Sequence, residues 1–107
     1  MTERADQGTA RVDVSVEDPL CPLVTIVGEL DIASVDGVAA GIEPYLTGTP
    51  EKVVFDLGGL QFMDSSGIAM LVNIANRVGT VQVRAASPIV RRVIEVTGLD
   101  GIFGLSP

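Results

Sequence analysis

The first recognisable pattern along the chain is an alternation of apolar and polar residues from Val12 to Val16. A period of two is typical of a strand that buries one face. After a short turn, the apolar run 23–27 predicts a second strand, and so short a connection favours an antiparallel hairpin. Residues 1–9 are polar, and we expect them to form a flexible N-terminus before a single domain over residues 10–107.

Three segments further along carry apolar residues at the spacing of an amphipathic helix. The first covers residues 35–46, where Pro44 is expected to end or kink the helix. The second covers residues 64–78. Its buried arc is predicted to consist of Ile68, Leu71, Val72, Ala75 and Val78. The third begins at Ser87–Pro88, an N-cap followed by a favoured first residue, and it stops at Gly98.

Two more strands are predicted between these helices, at Val53–Leu57 and Thr80–Ala85. The first is apolar apart from Asp56, which predicts a strand covered on both faces. The order β-β-α-β-α-β-α predicts the α/β class, with a mostly parallel, mixed sheet of four to five strands, an antiparallel N-terminal edge strand and helices packed against the sheet. In the C-terminal tail, three apolar residues are expected to pack onto the core: Ile102, Phe103 and Leu105.

The composition excludes most catalytic machinery. The chain has no His, so Ser-His-Asp and Cys-His nucleophile systems and nearly all catalytic zinc sites are excluded. A single cysteine, Cys21, cannot form a disulfide within the chain, and no functional role is predicted for it. The single lysine, Lys52, does not belong to a phosphate-binding loop motif. We therefore expect a protein that is not an enzyme and that has no metal or cofactor of its own.

The charge balance narrows the choice of partners. Fourteen acidic residues against seven basic ones give a net charge of −7, and only Arg91 and Arg92 are adjacent basic residues. Nucleic acid and anionic membrane surfaces are therefore disfavoured as partners. The start of the chain does not resemble a signal peptide, and no apolar run approaches the roughly 20 residues of a membrane helix. We expect a cytoplasmic protein without direct membrane insertion, monomeric by default.

The segment that carries candidate chemistry is Asp64-Ser65-Ser66-Gly67, which joins a predicted strand to the second helix. One interpretation is a helix cap, because Asp and Ser side chains accept hydrogen bonds from the unpaired N–H groups of a first turn. The other is a phosphorylation site. A phosphate at a helix N-terminus adds about −1.5 to −2 charges where the helix tolerates them, while a docked partner would not. Residue chemistry alone does not choose between the two serines.

Three segments of the chain together resemble a known family. The string FMDSSG at residues 62–67, followed by an amphipathic helix, is similar to a motif of the anti-sigma factor antagonists, the stand-alone STAS domains of bacteria. The segment GELD at residues 28–31 and the third helix, which opens at Ser87–Pro88 and ends at residues 97–99, also match that family's pattern. The resemblance covers nearly the whole chain, and the three segments occur in the expected order.

The resemblance implies a regulatory cycle. In that family, the unphosphorylated antagonist binds an anti-sigma factor with serine kinase activity, and a sigma factor is released. The kinase then phosphorylates the first serine of the DSSG motif, which corresponds to Ser65, and binding is lost. A PP2C-type phosphatase restores the active form, and ATP and magnesium belong to the kinase. Asp31 and Asp64 match acidic positions at the partner-facing end, and Ser66 is predicted to bind the partner beside them. For Asp31, a helix N-cap remains the alternative to a contact with the partner.

Met70 and Ile74 lie beside the predicted buried arc of the second helix. Either they pack under a neighbouring helix, or they belong to a docking patch beside Ser65, since methionine suits adaptable surfaces. The spacing leaves both alternatives open.

The residues also bear on functions other than the family's cycle. A phospho-aspartate receiver is excluded because such a site needs a Lys on a later strand, whereas the only lysine, Lys52, precedes the third strand. A serine enzyme is excluded because no His or lysine base is in range. A STAS subunit of a lipid or solute transporter, or of a stress-sensing complex, remains an alternative.

Overall fold

A computed structural model describes the backbone of residues 2–7 and the whole of residues 10–48 and 50–105. The elements are β1 (Thr2–Gln7), β2 (Ala10–Ser15), β3 (Leu23–Leu30), α1 (Val35–Ile42), a 3₁₀ turn (Glu43–Tyr45), β4 (Val53–Met63), α2 (Ser65–Val78), β5 (Val81–Ala86) and α3 (Pro88–Thr97). As the sequence predicts, α1 ends before Pro44, which lies in the 3₁₀ turn.

The five strands form one mixed sheet in the order β1-β2-β3-β4-β5. Strand β2 pairs antiparallel with both β1 and β3, while β4 pairs parallel with both β3 and β5. The predicted α/β class, the hairpin and the crossover helices are confirmed. Strand β1 is absent from the predicted order, and it is this strand, instead of the one at Val12, that forms the antiparallel edge. The flexibility expected of residues 1–9 stays a prediction, and residues 1, 8 and 9 lie outside the described residues.

The helices cover one face of the sheet. Along β4, the buried side chains of Val53, Phe55 and Leu57 alternate with the half-buried Val54 and Asp56. The expectation that this strand is covered on both faces is therefore wrong. Because β3, β4 and β5 are adjacent and in sequence order, right-handed crossovers place α1 and α2 on the same side. No described helix has both the length and the apolar character needed to cross a membrane.

The segment after α3 covers the outer edge of β5. The Val83 N–H donates a hydrogen bond of 2.7 Å to the carbonyl oxygen of Phe103, whose side chain is fully buried. Leu105 is partly buried against the core, as expected. The expectation for Ile102 is wrong, because its side chain is 61% exposed. Gly98, with φ of +76°, ends α3 in the left-handed conformation that favours glycine.

Replacing Phe103 tests whether the tail belongs to the cooperative fold. We expect Phe103→Ala to lower the free energy of unfolding by about 3–5 kcal/mol, because it leaves a cavity in the core. The neighbouring exposed Ile102→Ala is the control and should change it by less than about 0.5 kcal/mol. Urea unfolding followed by circular dichroism measures both. Equal effects of the two variants would show that the tail is not part of the folded core.

Candidate functional site

The site is built where β3 and β4 end on the same edge of the sheet. The Asp64 N–H donates to the Leu30 carbonyl oxygen at 3.2 Å, so the end of β4 is bonded to the end of β3. Asp64 is the N-cap of α2, and its Oδ1 accepts hydrogen bonds from the Ser66 N–H at 2.9 Å and from the Ser66 hydroxyl. The cap interpretation of this segment is therefore confirmed for Asp64.

These hydrogen bonds keep the Asp64 carboxylate ionised. The Ser66 hydroxyl is the main cause that lowers the pKa of Asp64, and burial opposes it. The backbone N–H groups of Ser66, Gly67 and Ile32 lower that pKa further.

The two serines of the segment differ in their surroundings. Ser65 is the first residue of α2 and its side chain is exposed. Ser66 is half-buried, and its hydroxyl is engaged by the Asp64 carboxylate. The structure therefore supplies a physical difference between the two hydroxyls that the sequence pattern could not, and it is Ser65 that is open to another molecule.

Close packing fixes the first turn of α2. A Cβ on Gly67 would lie 2.6 Å from Met63 Cγ and 3.0 Å from Leu30 Cδ2, closer than side chains tolerate. Only glycine at this position lets α2 approach the strand ends so closely. The direction of the helix, and with it the position of Ser65, is consequently set by packing as well as by the cap.

Asp31 organises the loop between β3 and α1. Its Oδ1 accepts hydrogen bonds from the Ala33 N–H, the Ser34 N–H and the Ser34 hydroxyl at 3.0–3.2 Å. The N-cap position of α1 belongs to Ser34, so Asp31 closes the preceding turn instead of capping the helix itself. Ser34 is buried, and its hydroxyl also bonds the Glu29 carbonyl oxygen. Sequence reasoning missed Ser34, although a serine directly before an apolar helical run is a recognised start signal.

Met70 and Ile74 lie in the interface between α1 and α2. Each is only 5% exposed, which confirms the packing alternative and shows that the buried surface of α2 is wider than the predicted arc. Within that arc Ile68 and Leu71 are buried, while the other three residues are partly buried.

The side chains of Met70 and Ile74 also line an open groove of about 430 Å³, together with Ile32, Asp36 and Ser66. This groove is here named the α1–α2 groove. A docking role for Met70 and Ile74 stays a prediction.

A second groove lies on the other side of α2. This α2–α3 groove, of about 280 Å³, is lined by Ser65, Ile68, Arg92, Val93, Val96 and Thr97. Its lining is almost wholly apolar, and Val96 is 73% exposed. Ser65 and Ser66 thus stand at the boundary between two grooves, with Ser66 in one lining and Ser65 in the other.

The described residues do not offer a metal site. Nowhere in the part of the chain with described side chains do three His, Cys, Asp or Glu residues come together in a way that could hold an ion. Cys21 is half-buried in the turn before β3, at the opposite end of that strand from Asp31. The site instead combines the exposed Ser65 hydroxyl, two loops in which Asp31 and Asp64 are held by hydrogen bonds, and two grooves.

The Asp64 cap can be tested by unfolding at several pH values. We expect Asp64→Ala to lower the free energy of unfolding by about 1 kcal/mol at pH 7. The pKa of this carboxyl is lowered by folding, so its contribution is complete above its ordinary value of 3.8 and is lost as the pH falls through the lower folded value. The difference between wild type and variant should therefore shrink below pH 3.8. Ser65→Ala, as the neighbouring control, should be within about 0.5 kcal/mol of wild type, and equal losses in the two variants would contradict the cap.

Comparison with known sequences gives one family. The sequence model of the STAS domain matches residues 13–107. An anti-sigma F factor antagonist from Lysinibacillus sphaericus is 32% identical over 82 residues, which cover 72% of this chain and 70% of that protein.

Comparison with solved structures agrees. An anti-sigma factor antagonist from Mycobacterium paratuberculosis superimposes with a TM-score of 0.78 at 28% identity, covering 92% of this chain and 86% of that one. The antagonist SpoIIAA in its unphosphorylated form has the same fold, with a TM-score of 0.73 at 23% identity and coverage of 85% and 84%. SpoIIAA from Bacillus has also been solved in its phosphorylated form, which has a TM-score of 0.65 here, again at 23% identity, with coverage of 85% and 86%. The chain belongs to the STAS domain family and, within it, to the anti-sigma factor antagonists.

Proposed function

We propose that this protein is a phosphorylation-controlled binding module. Unphosphorylated, it binds an anti-sigma factor that is also a serine kinase, and a sigma factor is thereby freed. Phosphorylation of Ser65 ends this binding, and a PP2C-type phosphatase reverses it. The observation that carries the proposal is the exposed Ser65 at the start of a rigidly held helix, beside a Ser66 whose hydroxyl is already bonded to Asp64.

The chemistry requires nothing catalytic from this chain. The kinase would bind ATP and magnesium and transfer the γ-phosphoryl group, so that a bond forms between phosphorus and Ser65 Oγ while the bond to ADP breaks. The hydroxyl proton would leave to a base of the kinase. In this reaction the chain contributes only an accessible hydroxyl, which agrees with a composition that has no His.

The modification would change the surface and leave the fold intact. A phosphate adds about −1.5 to −2 charges and would take the net charge from −7 to about −8.5 or −9. The start of a helix tolerates such a charge because of the helix dipole. A partner seated on the same turn would instead meet the phosphate next to the Asp64 carboxylate, and like charges across an interface cost several kcal/mol.

The docking surface would comprise both strand-end loops and the adjacent α1–α2 groove. Ile32 is 77% exposed and rises beside the groove, which suits a side chain that anchors a partner. Asp31, Asp64 and Ser66 would shape and charge this end of the molecule. Met70 and Ile74 would contribute the floor of the groove and not projecting contacts.

The names of the relatives favour the function of an anti-sigma factor antagonist over the alternatives. Relatives and structural neighbours of the chain include anti-sigma factor antagonists, and SpoIIAA has been solved in both phosphorylation states. A subunit of a transporter or of a stress-sensing complex with the same fold is the alternative. We propose further that the protein acts in the cytoplasm as a monomer.

Substitutions at the two serines test the switch. Ser65→Ala should bind the kinase in the presence of ATP as well as in its absence, while Ser65→Asp should bind at least about tenfold more weakly because of its charge. Ser66→Ala is the matched control and should still gain one phosphate. Binding is measured by calorimetry and the modified residue by mass spectrometry. A kinase that binds the protein but leaves Ser65 unmodified would refute the proposal.

Two exposed isoleucines test the docking surface. Ile32→Ala should weaken binding to the kinase by about tenfold or more, because an exposed apolar anchor loses its contact. Ile102→Ala removes a comparably exposed isoleucine from the C-terminal tail and should leave the affinity unchanged. Both variants should unfold like wild type. Equal affinities for the two variants would place the docking surface elsewhere.

A further inference from the structure

Arg92 is an exposed cation of α3 that lines the same groove as Ser65. Other arginines are engaged elsewhere: Arg77 pairs with Glu43 at 2.6 Å, and Arg84 pairs with Asp56 at 3.2 Å. Arg91 also has a partner. Among the side chains that the structure describes, none forms an ion pair or hydrogen bond with Arg92. An arginine with no described partner therefore lines the same groove as Ser65.

The backbone at the start of α2 has few donors left for a phosphate. The Ser66 N–H is bonded to Asp64 Oδ1, and the N–H groups of Gly67 and Ile68 are directed to the Asp64 carbonyl oxygen at 3.1 and 3.4 Å. A phosphate on Ser65 could not use these donors without displacing Asp64. The ionised Asp64 carboxylate would also repel it. A side-chain cation is the remaining source of compensating charge.

We propose that Arg92 binds the phosphate on Ser65, so that the modified side chain lies across the α2–α3 groove. This inference rests on the modification in the proposed function and adds its partner within the chain. The planar guanidinium group can donate two parallel hydrogen bonds to phosphate oxygens, which a compact ammonium group cannot do. The Arg92 side chain is long and exposed, and it already lines the same groove as Ser65.

Such a pair would change the surface in two ways at once. The phosphate would engage Arg92, which is otherwise free to meet an acidic group of a partner. The phosphoserine and arginine together would also cover the apolar lining at Val93 and Val96. Phosphorylation would then close the α2–α3 groove in addition to adding negative charge beside Asp64.

The test uses protein in which phosphoserine is installed at position 65 during translation, so that it does not depend on any kinase. The second pKa of the phosphate, ordinarily near 6, is followed by ³¹P NMR at low ionic strength. We expect a value lower by roughly half a unit to one unit than in the same protein with Arg92→Gln, since a nearby cation favours the dianion. The shift should diminish as salt is added, because the pair is exposed.

Arg91→Gln is the matched control. It removes the same charge from the adjacent position, but Arg91 does not line the groove. Its phosphate pKa should stay within a few tenths of a unit of the value with both arginines present. Arg92→Lys keeps the charge without the planar donors and should give an intermediate value.

A second measurement reports on the arginine itself. The Arg92 Nε–H resonance in a ¹⁵N-labelled sample should shift when phosphoserine replaces serine at position 65, while the Arg91 resonance should not. Equal phosphate pKa values in Arg92→Gln and Arg91→Gln, or an unchanged Arg92 resonance, would overturn the inference. Because the phosphate is installed without a kinase, a missing shift leaves the proposed function standing. Conversely, a kinase that ignores Ser65 refutes that function without affecting this titration.

Discussion

The hydrogen bonds made by Asp64 are the constraint on which the rest of the site depends. Its N–H joins the end of β4 to the end of β3, and its carboxylate caps α2 and accepts a hydrogen bond from the Ser66 hydroxyl. Gly67 adds the close approach of helix to strand. One aspartate therefore decides where α2 begins, which hydroxyl remains exposed and which charge lies beside it.

Most of the fold could be predicted because its strands and helices carry strong periodic signals. The α2 helix shows why some of it could not. A helical period predicts one buried arc, but α2 contacts both the sheet and α1, so Met70 and Ile74 are buried in a second direction. Strand β1 has a polar sequence and is defined by pairing with β2 instead of by apolar residues. The apolar run of β4 gave no information about which face the helices would leave uncovered.

The residues of the site likewise fall into two groups: those that short-range sequence rules predict and those that depend on tertiary packing. The Asp64 cap follows from the short-range rule that aspartate accepts N–H bonds at a helix start. The difference between Ser65 and Ser66 depends on the rotamer of Ser66, which the sequence does not contain, and within the sequence only the family resemblance points to Ser65. No short-range sequence pattern identifies Arg92 as part of the site. Only the packing of α3 beside α2 places it at the same groove as Ser65.

The contrast between Gly67 and Ser65 has a consequence for how such a sequence can change over time. A Cβ at position 67 would collide with Met63 and crowd Leu30, so folding itself disfavours any other residue at this position. Ser65 is exposed, so the packing of the core does not require its side chain. A lineage could thus lose its regulatory control in one step and keep a stable, docking-competent protein. Retention of the serine would then record continued selection for control and not for structure.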